Sequence, residues 1–195
     1  KTLLKDIKIL ESGSFLKLER NKNNLLSIHK YWDYDFTNPT KAKDEKEYIE
    51  ELQRLFKQAV ERQLISDVDV GSYLSGGIDS GSITAIASGK ISQLKTFTCG
   101  FDLSSAYGLE LKFDERSKAE AVSSKYKTEH YEMVLKAGDM ERCLPDLAHH
   151  LEEPRVGQSY PNYYAAKLAG KFVKVVLAGT GGDEIFGGYP WRYYR

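Results

Sequence analysis

Two glycine-rich stretches, far apart in the chain, hold most of the residues whose types and spacing could do chemistry. The first is Ser75-Gly76-Gly77-Ile78-Asp79-Ser80, placed between the apolar run Val68 to Leu74 and a helical pattern. Gly76 and Gly77 remove the Cβ atoms that would hold an anion off the backbone, and Ser75 and Ser80 add hydroxyl donors. The peptide N–H groups of such a turn form a nest at the positive end of the following helix, where phosphate is favoured. No Lys-Ser or Lys-Thr pair follows, so the usual means of cleaving a γ-phosphate is missing. The second stretch, Gly179-Thr180-Gly181-Gly182-Asp183-Glu184, ends the apolar run Val173 to Ala178. Its glycines permit close backbone approach to a ribose or an α-phosphate. If the two runs are neighbouring strands, Asp79 and Asp183 approach one another, and two carboxylates completed by phosphate oxygens and water suit Mg2+.

Composition narrows the partners. The chain has 195 residues and is 41% hydrophobic, enough for one good-sized core and a small appendage. Lys plus Arg and Asp plus Glu are equal at 28 each, so no global charge recruits nucleic acid or anionic lipid, and anion binding must be local. No run has the length of a membrane span or the form of a signal peptide. Cys99 and Cys143 are far apart and set in apolar or helical surroundings, which favours reduced thiols and a cytoplasmic setting. The four histidines show no zinc spacing.

The elements that must position these loops follow from periodicity. Alternation around Leu16, Leu18, Leu25, Leu26 and Ile28, with a turn at Asn21 to Asn24, predicts a strand pair. Residues 37–43 read as a linker with Pro39. Asp44 and Glu47 make a capping box, and Tyr48, Ile49, Leu52, Leu55, Phe56, Ala59, Val60 and Leu64 keep one face of a helix apolar. After the first loop come a short helix to Ser88, a strand from Leu94 to Phe101, and a polar loop from Asp102 to Lys112. A helix from Ser117 to Tyr126 capped by Asp114, a strand Glu129 to Leu135, and helices over Asp139 to Leu151 and Ser159 to Phe172 complete the middle. Pro154 ends the first of those helices. Val173 to Ala178 reads as a strand buried on both faces. Strands alternating with helices predict an α/β, doubly wound parallel sheet, with ligands outside the carboxyl ends of the strands. Leu74 and Cys99, at two such ends, are placed to line a ligand pocket.

Ser75 to Ser80 resembles the SGGxDS pyrophosphate loop of ATP pyrophosphatases. Leu177-Ala178-Gly179-Thr180-Gly181-Gly182-Asp183-Glu184-Ile185-Phe186-Gly187-Gly188-Tyr189 is similar to the second signature of the glutamine-dependent asparagine synthetase family. Ile9 to Leu16 and His29-Lys30-Tyr31-Trp32-Asp33 resemble the tail of that family's glutaminase domain, although the nucleophilic amino-terminal cysteine is absent. The resemblance implies a sheet of the adenine nucleotide alpha hydrolase-like, Rossmann-like type after a short β segment. It divides the chain into residues 1–36 as the tail of an amino-terminal glutaminase-like β domain, 37–43 as linker, and 44–195 as an ATP-binding synthetase domain truncated at its carboxyl end.

The implied site has Leu74, Ser75, Gly76, Gly77, Asp79, Ser80, Cys99, Ala178 and Gly179 binding ATP and its pyrophosphate, with Asp79 and Asp183 on Mg2+. Thr180 stands at the family's catalytic Glu or Asp position, and a hydroxyl cannot serve there as a general base near neutral pH. The implied reaction adenylates a carboxylate, aspartate by the family's habit, and then transfers ammonia drawn from glutamine through a glutaminase domain. No nucleic acid or membrane partner is implied, and homodimerisation is left open. Thr180 keeps two alternatives in play: a divergent amidotransferase on another carboxylate, and a nucleotide-binding module without activity. A pyrophosphatase-loop enzyme that thiolates tRNA, or one like GMP synthetase, is less consistent with Gly181 to Tyr189 and with the absence of a basic patch.

Overall fold

The computed structural model describes residues 2–20, 25–35, 37, 44–104, 114–152 and 159–189. The Asn21 to Asn24 turn, linker residues 38–43, loop residues 105–113, the Glu153-Pro154 turn with Arg155 and Gln158, and Pro190 to Arg195 lie outside them. Two compact units form, Lys1–Ile49 and Glu50–Arg195. In the first, β1 (Ser14–Glu19) and β2 (Leu25–Lys30) pair antiparallel with Leu16 opposite Ile28 and Leu18 opposite Leu26. Alternation puts these four side chains on one face. Gly13 closes the open end of the hairpin: its carbonyl accepts from the Tyr31 and Trp32 amides at 2.8 and 3.2 Å.

The second unit is a parallel sheet. Its strands are β3 (Val70–Tyr73), β4 (Lys95–Phe101), β5 (Glu129–Leu135) and β6 (Val175–Leu177), in the order β5-β4-β3-β6. The chain steps outward from β3 through β4 to β5, then returns to the other flank of β3 for β6. The order therefore reverses between β3 and β6, and that is where a doubly wound sheet opens a crevice at its carboxyl ends.

Both faces are covered, as a parallel sheet requires. On one side Ser72 of β3 accepts a hydrogen bond from Thr84 of α2 (Ile78–Ser88) at 3.2 Å. There Val60 of α1 (Glu45–Gln63) joins Ala87 and Leu94 in a buried cluster, the product of the apolar stripe read in α1. On the other side a Cβ at Gly71 would meet Val173 at 3.3 Å, and Phe97 packs with Leu168 and Ala169 of α5 (Ser159–Ala169). Helix α4 (Asp139–Leu151) packs on α5, with the Tyr164 hydroxyl donating to the Asp139 carbonyl at 3.0 Å. Phe97 is among the largest fully buried side chains, and its truncation to alanine would cost about 3–5 kcal/mol.

Strand β6 differs from the expectation of a six-residue strand buried on both faces. Only three residues pair with β3, and Val175 is 38% exposed. It is the edge of the sheet among the described residues, so one flank has no strand to cover it. Helix α3 (Arg116–Tyr126) begins one residue earlier than predicted, with Glu115 at the cap position rather than Asp114. Asp114 instead accepts from the Arg116 amide at 3.3 Å.

Candidate functional site

The first glycine pair sits where β3 turns into α2. Gly76 adopts φ +75°, the left-handed region that favours glycine, and Gly77 is the α2 N-cap. Two hydroxyls brace the turn from within. Ser80 Oγ accepts from the Ser75 amide at 3.1 Å and lies 3.0 Å from Ser75 Oγ, and Ser75 Oγ accepts from the Gly77 amide at 3.3 Å. Ser75, Gly76, Gly77 and Asp79 remain partly exposed, and Ile78 projects into solvent. The loop is thus a preformed concave turn with amides and hydroxyls at an open helix N-terminus, the features that favour an anion.

The second loop arrives beside it because β6 pairs parallel with β3, with Ser72 opposite Leu177. Its glycines press against the first turn of α2. A Cβ on Gly179 would lie 2.9 Å from Asp79 Cβ and 3.0 Å from the Ser80 amide nitrogen. A Cβ on Gly182 would lie 2.6 Å from Asp79 Oδ1. The Asp79 carboxylate therefore occupies the seam between the two loops. Asp183 is the second residue of the short α6 (Gly182–Phe186), whose N-cap is Gly181, and its Cα lies 3.1 Å from a Cβ built on Gly188. Asp183 is turned toward the Gly187-Gly188 end of its own loop, where its carbonyl accepts from the Gly188 amide at 2.9 Å. Thr180 and Ala178 are exposed at the mouth, and Gly179 is half-buried between them.

The expected pocket-lining pair lies on neighbouring strand ends. Leu74 is 1% exposed, its amide donates to the Phe97 carbonyl at 2.9 Å, and its carbonyl accepts from Thr98 Oγ1. Its side chain is buried, and its backbone runs beside the residues that lead to Cys99. Cys99 is half-buried, and burial first, then the charge of Asp139, pushes its thiol up to about 12. It is a neutral, weakly polar surface at any physiological pH.

A third element flanks the first loop and was not singled out as part of the site. A Cβ on Gly76 would lie 2.8 Å from the Lys118 carbonyl carbon and 2.9 Å from the Ala119 amide nitrogen, so the loop backbone rests on the first turn of α3. Arg116 anchors that turn to β4. It donates to the Phe101 carbonyl at 2.9 Å and forks onto Asp114 at 2.7 and 2.9 Å. The Arg116 hydrogen bonds hold the Asp114 carboxyl below the usual range. The sequence signal was available as consecutive acids, Asp114 and Glu115, before a helix, but nothing in linear spacing says that this helix abuts Gly76. Arg62 lies exposed in the last turn of α1.

Among the described residues no group of three or more His, Cys, Asp or Glu could hold a metal ion. A divalent ion at the Asp79 seam would need ligand oxygens to complete its shell, which is the habit of Mg2+. No helix among the described residues is long and apolar enough to cross a membrane.

The asparagine synthase family model matches residues 51–195. "Putative asparagine synthetase (glutamine-hydrolyzing) 2" of Methanocaldococcus jannaschii is 35% identical over 181 residues, covering 89% of this chain and 34% of that protein. "Asparagine synthetase (glutamine-hydrolyzing) 3" of Bacillus subtilis is 32% identical over 183 residues, covering 85% and 28%. The chain thus spans 34% and 28% of the length of these two curated relatives. Among solved structures, an NH3-dependent NAD synthetase from Campylobacter jejuni overlaps 76% of this chain and 62% of its own, with TM-score 0.40 and 14% identity.

Proposed function

The chain belongs to the asparagine synthase family, and on that premise we propose that it carries the ATP-binding part of an AMP-forming amide ligase. The substrate carboxylate, aspartate first among candidates, attacks the α-phosphorus of ATP and pyrophosphate leaves. Ammonia then attacks the acyl carbon of the adenylate, loses a proton, and AMP departs with the electron pair of the broken C–O bond. In the intact protein ammonia comes from glutamine through a glutaminase domain.

The observation that carries this reading is the seam: Gly179 and Gly182 seated against Asp79, which joins both glycine loops at one end of the β3–β6 pair. The amides and hydroxyls from Ser75 to Ser80 face the pyrophosphate, whose departure is helped by donors already in place. Ala178 and Gly179 lie toward the α-phosphate and ribose, Leu74 supports the floor, and Cys99 offers a neutral wall to the base. Asp79 would hold Mg2+, joined by Asp183 once that carboxylate turns from the Gly188 side of its loop, and the ion supplies charge neutralisation to the leaving pyrophosphate when bound. Thr180, exposed at the end of β6, can donate a hydrogen bond to the reacting carboxylate but cannot take up the amine proton as a base. That places the choice of carboxylate, and not the use of ATP, at this position.

The test is AMP and pyrophosphate release by the intact protein with ATP and ammonia, scanned across amino acids. AMP formation that depends on one carboxylate substrate supports the ligase, and the substrate that elicits it separates aspartate from another acid. ATP binding without AMP formation under any acid would leave only a nucleotide-binding module.

A further inference from the structure

The Ser75 to Ser80 loop offers a phosphate amides and hydroxyls but no cation. Its one ionisable side chain is Asp79, an acid, and a pyrophosphate group brings further negative charge. The second loop does not make up the difference, since Ala178 to Tyr189 contains no Lys or Arg. A cation from the protein has to come from a third element.

Helix α3 has one in the right place. A Cβ on Gly76 would collide with the Lys118 Cβ and lie 2.8 Å from the Lys118 carbonyl carbon, so the root of this side chain is fixed beside the loop. The residue itself is exposed. Side chains on a helix lean toward its N-terminus, so the four-carbon stem of Lys118 leads back along the turn on which Gly76 rests. The other cation of that turn, Arg116, is spent on Asp114 and the Phe101 carbonyl. Lys118 makes no ion pair or hydrogen bond with a described residue. An uncommitted ammonium on a flexible stem suits a phosphate oxygen, which it meets as a point charge.

We propose that Lys118 is a phosphate-binding residue, whose ammonium closes the α3 flank of the nest and holds the β- and γ-phosphates of the nucleotide. This rests on the reading that the Ser75 to Ser80 loop binds ATP. The loop is bracketed on two sides: Gly179 and Gly182 press on Asp79, and α3 presses on Gly76. With the α-phosphate toward Gly179, the two outer phosphates fall to the Gly76 side. When the bond from the α-phosphorus to the bridging oxygen breaks, its electron pair stays on that oxygen. The added charge therefore appears on the pyrophosphate that Lys118 holds, and the interaction strengthens as the group leaves.

The experiment compares ligands that differ in their phosphates. Equilibrium binding of ATP, AMP and inorganic pyrophosphate, each with magnesium, is measured on the intact wild type, Lys118→Met and Lys118→Arg. Methionine keeps a stem to pack on Gly76 and removes the charge, whereas arginine keeps the charge. Lys118→Met should weaken ATP and pyrophosphate about tenfold, the scale of one charge-assisted hydrogen bond, and leave AMP within about twofold. Lys118→Arg should stay within about threefold of the wild type for all three ligands. The ATP difference between wild type and Lys118→Met should shrink as KCl rises from about 50 to about 300 mM. Unchanged ATP affinity in Lys118→Met, with the wild type binding ATP, overturns this proposal alone. Equal losses of ATP and AMP also overturn it, because they make Lys118 a brace for the loop backbone. Failure of the wild type to bind ATP overturns the nucleotide reading, and this proposal with it. Should Lys118→Met not fold, Lys118→Gln takes its place, with the same split between ATP and AMP expected.

Discussion

Gly182 is the residue against which the Asp79 carboxylate rests in the seam. Gly182→Ala would put a methyl 2.6 Å from Asp79 Oδ1 and turn that carboxylate out of its place. We expect ATP affinity to fall at least tenfold while stability drops by only about 1–3 kcal/mol, the usual cost of overpacking. Equilibrium binding and urea denaturation on the same variant separate the two effects. Thr180→Glu makes the opposite kind of prediction. Exposed at the mouth, it should change carboxylate-dependent AMP release and leave ATP binding within a few-fold; complete loss of ATP binding would mean that residue 180 lies under the nucleotide. The glycines of both loops were legible in the sequence because only close backbone approach explains them. The contact of Gly76 with the first turn of α3 was not, since linear spacing does not say which helix abuts the loop. Nor was the burial of the Leu74 side chain, which its place just past the end of β3 does not fix.

At the scale of elements, the first turn of α3 is a bracket between two strand ends. Arg116 ties it to Phe101 at the end of β4, and the Gly76 backbone rests against it at the end of β3. Arg116→Met should cost about 2 kcal/mol in chemical denaturation, since it removes charge-assisted hydrogen bonds to Asp114 and a carbonyl. It should also weaken ATP binding, through the loosened support of the loop. A stability loss with unchanged binding would show that α3 does not brace the loop. Helix and strand boundaries from α1 to α5 came close to those read from periodicity, but in α1 the reading of a core helix holds only near Val60, since Tyr48, Ile49, Leu52 and Leu55 are exposed. Strand β6 did not, since Val and Leu in a row say that a strand is apolar but not how many neighbours it has.

For the second unit as a whole, a parallel sheet was implied by alternation of strands and helices, but the order β5-β4-β3-β6, with its reversal beside β3, is a property of packing and not of local sequence. Its acid sensitivity follows from two carboxylates at the ends of strands. Asp114 is held low by Arg116, and Asp139 by the Lys136 amide and then by Arg142. A lowered folded-state pKa contributes stability above the ordinary carboxylate value of 3.8 that is lost as pH falls through the lowered value. The urea midpoint should therefore decline on acidification below about pH 4, and less steeply in Asp114→Asn, which has already lost its share. An identical pH profile in the two proteins would remove Asp114 from the account.

The crevice between β3 and β6 also has a history in time. During synthesis β3 emerges early and can find β4 after one helix, but its other flank waits while roughly a hundred further residues are made. Until β6 closes the ladder, the Ser75 to Ser80 turn exists as half a receptacle, with Asp79 facing water where Gly179 and Gly182 will later sit. Competence to hold a nucleotide thus waits on β6, and ATP cannot serve as a template while β3 has only β4 beside it.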